Sequence, residues 1–277
     1  MSPTETEVQV RAYYNSSTPI YETLINALSA AGKDLNTLTP RDLAPVDHFH
    51  SGGWRATLAL ANMAGINGSD HVLDVGGGIG GPARYLAVEI GCKVEVLDLS
   101  PEFVRAGEQL TELLGLSDKV HFHDGSALEM PYPDASFDVV ITQHSSMNIP
   151  DKPTLYSEIA RVLKPGGTLA IHEFMAGAGG EMSYPVPWAS SAGISSLEPP
   201  ETVRAILRDL GFKEAVWQDM TALTFAAIEE QFANMPTSRP VLGLHLVIPM
   251  IGMAVANLSA AMQSGAVVVI QSVLKKP

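Results

Sequence analysis

The sequence is poor in the residues that staple a fold, cross a membrane or grip a polyanion. Its 277 residues include one cysteine, Cys92, which excludes a disulfide framework and a Cys-rich zinc module and suits a reducing, intracellular setting. Basic residues are scarce: 17 Lys and Arg stand against 30 Asp and Glu, a formal net charge of -13. Such a surface repels nucleic-acid phosphates and anionic lipid, so neither nucleic acid nor membrane is an expected partner. The first ten residues are acidic and polar, with no apolar segment behind a basic cap. They read as neither a secretion signal nor a transit peptide, and a cytoplasmic location is expected. Repeats and low-complexity tracts are missing, which excludes solenoids and disordered linkers. One stretch, 241–262, approaches the ~20 apolar residues of a membrane span. Gly243, His245, Pro249, Gly252 and Asn257 interrupt it, so the expectation is a buried cap helix kinked at Pro249.

Apolar residues make up 46% of the chain, enough to bury a sizeable core. Their spacing alternates. Residues 71–75, 93–98, 119–123, 137–142 and 168–174 read as strands; 80–90, 101–114 and 152–163 read as intervening helices, the second opened by Ser100 as N-cap. Strands separated by helices of this length give βαβ units, and hence an α/β, doubly wound parallel sheet covered on both faces. Upstream, 20–31 and 54–64 are helical patterns joined by a loop containing Asp47 to Gly53. Downstream, 201–210 and 224–233 are helical, while 212–219 and 266–274 supply two more strands. The expected organisation is an N-terminal helical lid over 1–64 and a core domain over 65–277, with a substrate cover at about 176–262.

Asp74-Val75-Gly76-Gly77-Gly78-Ile79-Gly80-Gly81 lies between an expected strand and an expected helix. Glycines there let the backbone turn tightly and approach a nucleotide-type ligand, while the helix presents free N–H groups. Gly76, Gly78 and Gly81 satisfy G-x-G-x-x-G, and Asp98 stands at a strand end where a ribose-binding acid belongs. Dinucleotide binding therefore stays open on the glycines alone. Asp74 bears on the choice, since an acid two residues before the first glycine crowds a pyrophosphate but suits a cofactor with a cationic amino-acid end.

The chain resembles the class I methyltransferases that use S-adenosyl-L-methionine. The resemblance rests on five segments in order: Val72 to Gly78, Asp98-Leu99-Ser100, Pro131-Tyr132-Pro133-Asp134, Ser136-Phe137-Asp138-Val139-Val140 and Leu163-Lys164-Pro165-Gly166-Gly167. It implies a Rossmann-like sheet of seven strands, mostly parallel with the last antiparallel. It places Gly76 and Gly78 against the methionine moiety, with Asp74 near its cationic end, Asp98 on the ribose hydroxyls and Leu99 over one adenine face. Where the family often has an acid followed by Ala, this chain has Ser126-Ala127, which leaves the Ala127 backbone for the adenine amino group. Gln143 is expected to face the cofactor. Phe49 to Gly53 is similar to a loop that caps the methionine end, which makes His50 and Gly52 expected contacts.

Methyl transfer is an in-line displacement from a sulfonium, so the protein must mainly position an acceptor and exclude water. Similar enzymes acting on phosphoethanolamine, sarcosine or dimethylglycine carry an Asp and a His where this chain has His144 and Asn148. The missing carboxylate argues against a cationic amine and for a neutral, aromatic or hydrophobic acceptor. His144 is the leading candidate for a base or an orienting group, with an ordinary pKa near ~6.5. Glu173, after His172 at the end of the fifth strand, also points to the ligand edge. Tyr13 and Tyr14 resemble N-terminal tyrosines that close over the methyl donor in sterol, tocopherol and phosphobase methyltransferases, and Tyr14 is the candidate of the pair.

Tyr184, Trp188, Phe232, Met235, Leu246 and Met250 are expected pocket walls. The segment from Tyr184 to Ala189 resembles bacterial methyltransferases of specialised metabolism, whose acceptors include oxygen, nitrogen and electron-rich carbons such as those of indole. His48-Phe49-His50 and His121-Phe122-His123 have strand-face spacing for a metal but no third ligand, so no metal is expected. The expected partners are a small-molecule substrate and, at most, a second copy of the chain. Three alternatives remain: an N-methyltransferase of a small amine, an NAD-dependent oxidoreductase, and a non-catalytic module that binds S-adenosylmethionine.

Overall fold

In the computed structural model, residues 4–15, 19–234, 240–248 and 250–277 are described. Four helices come first: α1 (Glu5–Tyr14), α2 (Ile20–Ala30), α3 (Pro40–Asp47) and α4 (Gly53–Ala64). The alternating core follows as β1 (His71–Val75), α5 (Gly81–Glu89), β2 (Lys93–Asp98), α6 (Pro101–Leu113), β3 (Val120–Asp124), β4 (Phe137–Gln143), α7 (Lys152–Val162) and β5 (Leu163–Ala176). The chain closes with α8 (Pro200–Asp209), β6 (Lys213–Asp219), α9 (Thr221–Ala233), α10 (Ile251–Gln263) and β7 (Val267–Lys275).

The strands form one seven-stranded sheet in the order β3-β2-β1-β4-β5-β7-β6. All neighbours are parallel except the pairs made by β7, which runs antiparallel to both β5 and β6. The order reverses at β1, so the carboxyl ends of β1 and β4 open a crevice there. Side chains alternate across the sheet as the pleat requires. Leu73, Val75 and Val140 pack under α7 and α8, while Val72, Val139 and Ile141 pack under α4 and α5. A third cluster, with Phe174, Trp188, Ile228 and Leu258, joins β5 and β7 to the C-terminal cover. A fourth joins Leu24 and Leu28 of α2, Leu43 and Val46 of α3, and Phe103 and Leu110 of α6.

Several expectations change. Residues 40–47 are a helix rather than loop, because Thr39 and Asp42 form a capping box and Pro40 takes the first turn, where its missing N–H has no partner to lose. Residues 5–14 are also helical, opened by a Thr4–Glu7 capping box. The apolar stretch 241–262 is not one kinked helix: a short turn at Leu244–Leu246 precedes α10, whose N-cap Met250 has a left-handed φ of 54°. Pro249, the expected kink, lies outside the described residues. Among the described residues, no helix is long and apolar enough to cross a membrane.

The N-terminal helices are pinned to the sheet by a buried ion pair. Arg84 of α5 donates to Asp47 at 2.9 Å, and also to the Gly107 carbonyl and the Thr111 hydroxyl of α6. The other Asp47 oxygen lies 2.7 Å from Nδ1 of His48. Although burial alone would raise it, bonding to His48 and the charge of Arg84 hold the Asp47 carboxyl below its ordinary value. Removing one partner strands the other as a buried charge. Arg84→Met is expected to destabilise the protein by about 3–5 kcal/mol in urea unfolding, and adding Asp47→Leu is expected to restore much of that loss.

Candidate functional site

A cavity of about 1260 Å³, including its mouth, runs along the carboxyl ends of β3, β2, β1, β4 and β5. From one end to the other, its floor is Ser126, Ala127 and Leu128 after β3; Asp98, Leu99 and Ser100 after β2; Asp74, Gly76, Gly77 and Gly78 at β1; Gln143, His144 and Ser145 after β4; and Phe174 of β5. Its roof comes from Glu7, Val10, Arg11 and Tyr14 of α1, Asp47, Phe49 and His50 after α3, and Pro187, Trp188 and Ile248 of the cover.

The glycine loop allows two close approaches. Gly76 has φ 71°, and a Cβ there would collide with the Ser145 side chain. A Cβ on Gly81 would strike the Asp47 backbone, so its absence lets α3 seat against the start of α5. Asp98 accepts from the Gly78 N–H at 2.8 Å and the Ser100 N–H at 2.9 Å. Burial nonetheless pushes its carboxyl up to about 6. Asp74 is buried with Oδ2 lacking any hydrogen-bond partner, and burial together with the nearby Asp98 pushes it up to about 7. A buried carboxylate with an empty coordination side and a second acid behind it is a receptor for a cation.

The other half of the cavity is built from rings. His144 stacks on Phe174 at 3.9 Å with planes 9° apart, and Phe174 stacks on Trp188 at 5.0 Å. Nε2 of His144 is 2.7 Å from the Ser51 hydroxyl, which also lies 3.4 Å from Nε2 of His172. His50 bonds Thr57 at 2.7 Å, and Thr57 donates to Gln143 at 3.3 Å. Burial, reinforced by the neighbouring imidazoles, holds His144 and His50 well below the ordinary histidine value, and burial lowers His172 to about 4. All are neutral near pH ~7. Tyr14 donates to the Asn148 side chain at 3.2 Å, and burial raises its pKa. Tyr13 bonds the carbonyls of Val186 and Pro187 and does not line the cavity, so Tyr14 is the member of the pair that faces it.

Of the residues singled out in the sequence, His144, Tyr14, His50, Asp74, Gly76, Gly78, Asp98, Leu99, Ser126, Ala127 and Gln143 line this cavity. Glu173 and Gly52 do not. Glu173 is fully buried and accepts from the N–H groups of Ser145 and Ser146, at 3.1 to 3.3 Å, so it holds the loop after β4. Gly52 caps α4 in a left-handed conformation with φ 79°, where a Cβ would sit 2.8 Å from that of Ala56. Of the expected walls, Trp188 is present, whereas Tyr184 and Phe232 pack within the cover, Leu246 packs towards α2 and α3, and Met250 is exposed. Met235 lies outside the described residues.

Phe49, Phe103, Met147, Asn148 and Ile248 complete the wall without having been singled out for it. Glu7 and Arg11 were missed too, although Thr4-x-x-Glu7 is a capping box, and 7, 11 and 14 share one helix face. Of the two H-x-H pairs, His48 bonds Asp47 and His50 bonds Thr57. His121 and His123, with His71, surround Glu95 at 3.1 to 3.4 Å. Among the described residues, no group of three or more His, Cys, Asp or Glu could hold a metal ion.

Comparison with known proteins gives a consistent family. A family model for a methyltransferase domain matches residues 73–171. A sterol 24-C-methyltransferase of Eremothecium gossypii is 42% identical over 116 residues, covering 42% of this chain and 31% of that protein. A sarcosine/dimethylglycine N-methyltransferase of Halorhodospira halochloris is 34% identical over 168 residues, 60% of each chain. The chain thus spans less than two thirds of the length of these relatives. Among solved structures, geranyl diphosphate C-methyltransferase of Streptomyces coelicolor A3(2), in complex with Mg2+, geranyl diphosphate and S-adenosyl-L-homocysteine, superposes over all of both chains. Its TM-score is 0.73 at 17% identity, a likeness of fold.

The raised Asp74 carboxyl has a consequence for the ligand-free protein. Between its ordinary value of 3.8 and the folded value of about 7, the folded chain keeps a proton that the unfolded chain releases. Stability from this group is therefore present at low pH and lost as pH rises through that window, at about 1.4 kcal/mol per unit. Asp74→Asn without ligand is expected to melt above the wild type near pH ~8, with the advantage shrinking toward pH ~4, as read by scanning calorimetry.

Proposed function

The chain belongs to the class I methyltransferases through its domain at residues 73–171, and on that premise we propose that it moves a methyl group from S-adenosyl-L-methionine to a neutral, hydrophobic or aromatic small molecule. The observation that carries this reading is the division of the cavity. The carboxylates on its wall, Glu7, Asp47, Asp74 and Asp98, come from β1, β2 and the N-terminal helices. The region around His144, Tyr14, Met147, Phe174 and Trp188 has rings, a thioether and neutral imidazole, and Glu173 is turned away from it. An ammonium acceptor would find no counter-charge there. The named relatives include enzymes of sterols and of small amines, and this apolar wall favours the first kind of acceptor.

The cofactor fits the residues present. An unpartnered Asp74 oxygen suits the ammonium of its amino-acid end, whose positive charge would return the carboxyl to its ionised form. Gly76 and Gly78, left without side chains, let that end lie against the loop. Asp98 keeps acceptor capacity for ribose hydroxyls, Leu99 and Ala127 would flank the base, and Gln143 and His50 would close the methionine end. When bound, S-adenosylmethionine supplies an electrophilic methyl carbon on a sulfonium, which needs no Lewis acid and no protein nucleophile. The protein then contributes alignment, at about 3–3.5 Å between acceptor and methyl, and a dry site.

His144 orients the acceptor. A depressed imidazole is a weak proton acceptor, so its value lies in a fixed, uncharged ring rather than in strong basicity. That fits C-methylation of an electron-rich carbon, such as one of indole, or O-methylation of a hydroxyl, where the cation formed by methyl transfer is acidic enough to lose its proton to a weak acceptor such as this imidazole or to water. Neutral histidine also sets the pH dependence. With the cofactor saturating, so that Asp74 and Asp98 are held ionised, turnover should show no histidine inflection near ~6.5, since His144 is held well below its ordinary value.

Two measurements test the reading. With isotopically labelled methyl donor and a panel of hydrophobic and aromatic acceptors, the wild type is expected to transfer label; a melting-temperature rise with NAD and none with S-adenosylhomocysteine would overturn the assignment. His144→Ala is expected to lower turnover by at least about tenfold while leaving cofactor affinity within about threefold. Unchanged kcat and KM would remove His144 from the mechanism.

A further inference from the structure

The base end of the cavity has a wall that the core domain does not supply. After β3, the loop offers Ser126, Ala127 and Leu128, none of them charged. The Ser126 hydroxyl accepts from the Leu128 N–H at 3.0 Å, and Glu7 lines the same end of the cavity, near enough for that hydroxyl to favour its ionised carboxylate. Glu7 therefore lies over this loop although it belongs to α1, more than a hundred residues earlier in the chain. One of its oxygens is held by the Thr4 N–H at 2.7 Å, which fixes the carboxylate without using up its lone pairs. Burial works to raise the Glu7 pKa, but hydrogen bonds from Ser126 and Thr4 and the charge of Arg11 outweigh it and keep the group ionised.

Seven residues later the same helix presents Tyr14 to Asn148, on the far side of the glycine loop. From Glu7 to Tyr14 is ~10 Å along a helix axis, and from β3 to β4 is three strand spacings, ~14 Å. Helix α1 thus lies across the strand ends as a strap, with its acid over the β3 end and its tyrosine by the β4 end.

Resting on the proposed use of S-adenosylmethionine, we infer that Glu7 reads the cofactor's base: its carboxylate accepts from the exocyclic amine of adenine, so that the strap settles fully only over an adenine nucleoside. Ser126 is the positioning residue that aims the carboxylate. The chemistry recognised is a purine bearing an amino donor. A purine with a carbonyl at that place sets an acceptor against the carboxylate where the amine would donate, and its one added donor, N1–H, lies to the side of that contact.

Isothermal titration of the full chain with S-adenosylhomocysteine and with S-inosylhomocysteine tests this. The two ligands differ along that one edge of the base, with an amine and a bare N1 in the first and a carbonyl and an N1–H in the second. The wild type is expected to prefer the adenine compound by about tenfold or more. Glu7→Gln keeps the capping box, since Gln serves at that helix position, and so should fold normally. Because its amide offers both a donor and an acceptor, it is expected to bring the two affinities within about threefold of each other. A Glu7→Gln protein that keeps the wild-type preference, or a wild type that shows none, overturns the inference while leaving methyl transfer standing. Failure of the wild type to bind S-adenosylhomocysteine at all overturns the inference together with the function it rests on.

Discussion

A carboxylate and a guanidinium, each with a side chain wholly shut off from solvent, hold the N-terminal helices onto the sheet. Arg84 rises from α5 and Asp47 ends α3, and their contact is possible because Gly81 has no side chain to keep the two backbones apart. Everything that roofs the cavity on that side follows from the seat. Phe49 and His50 follow Asp47 within three residues, so fixing α3 constrains them, and Phe49 in turn packs on Phe103 of α6 with ring centres 5.5 Å apart. The lid anticipated over the first 64 residues is therefore built into the core through α3, with α1 as its outer member. A buried ion pair of this kind gives little net stability against a hydrophobic replacement, but it specifies one arrangement, because any other leaves a charge in the interior.

The cavity uses burial in two opposite senses. At β1 and β2, burial raises two carboxyls, and a cation beside them would favour their ionised form. Beyond β4, burial lowers the imidazoles, so that wall is comfortable without a partner and remains neutral. The same desolvation thus prepares one end to gain a charge and the other to avoid one. This contrast, more than the shape of the cavity, separates the cofactor's place from the acceptor's.

Much of this was legible in the sequence, and what was legible had a local cause. Strands of the sheet follow from apolar runs with turn residues between them, and Asp74, Gly76, Gly78 and Asp98 stand at fixed distances from the strand ends that carry them. Three kinds of feature were hidden. Helix α3 carries Pro40 and Pro45 and so reads as loop, although its first proline occupies a helix start and its apolar Leu43 and Val46 find partners from distant parts of the chain, in a cluster with residues of α2 and α6, Ile79 and Val247. Glu7 and Arg11 are ordinary surface residues of a short helix until a sheet edge from the middle of the chain lies beneath them. The cover was misread for a related reason. Tyr184 and Phe232 have the composition of pocket walls but turn toward the Trp188 cluster, and the wall is made by Met147 and Phe174 from the core itself.

The misplaced acid also explains the well-placed histidine. His144 holds a φ of 51°, a left-handed conformation that costs a non-glycine residue ~1–3 kcal/mol and persists only where neighbours over-determine it. Its own N–H donates to the His172 carbonyl at 2.8 Å, and the next two N–H groups, of Ser145 and Ser146, both go to Glu173. Lys152, buried beside that carboxylate, donates to the carbonyls of Ser146, Ile149 and Ser196 and ties the far side of the turn. The turn after β4 is thus clamped from both sides, and the strained residue at its start is left with one position for its ring, flat on Phe174. Glu173 acts on the site from behind: with its oxygens spent on the loop, it withdraws a charge from the acceptor's chamber and fixes the uncharged ring that faces it.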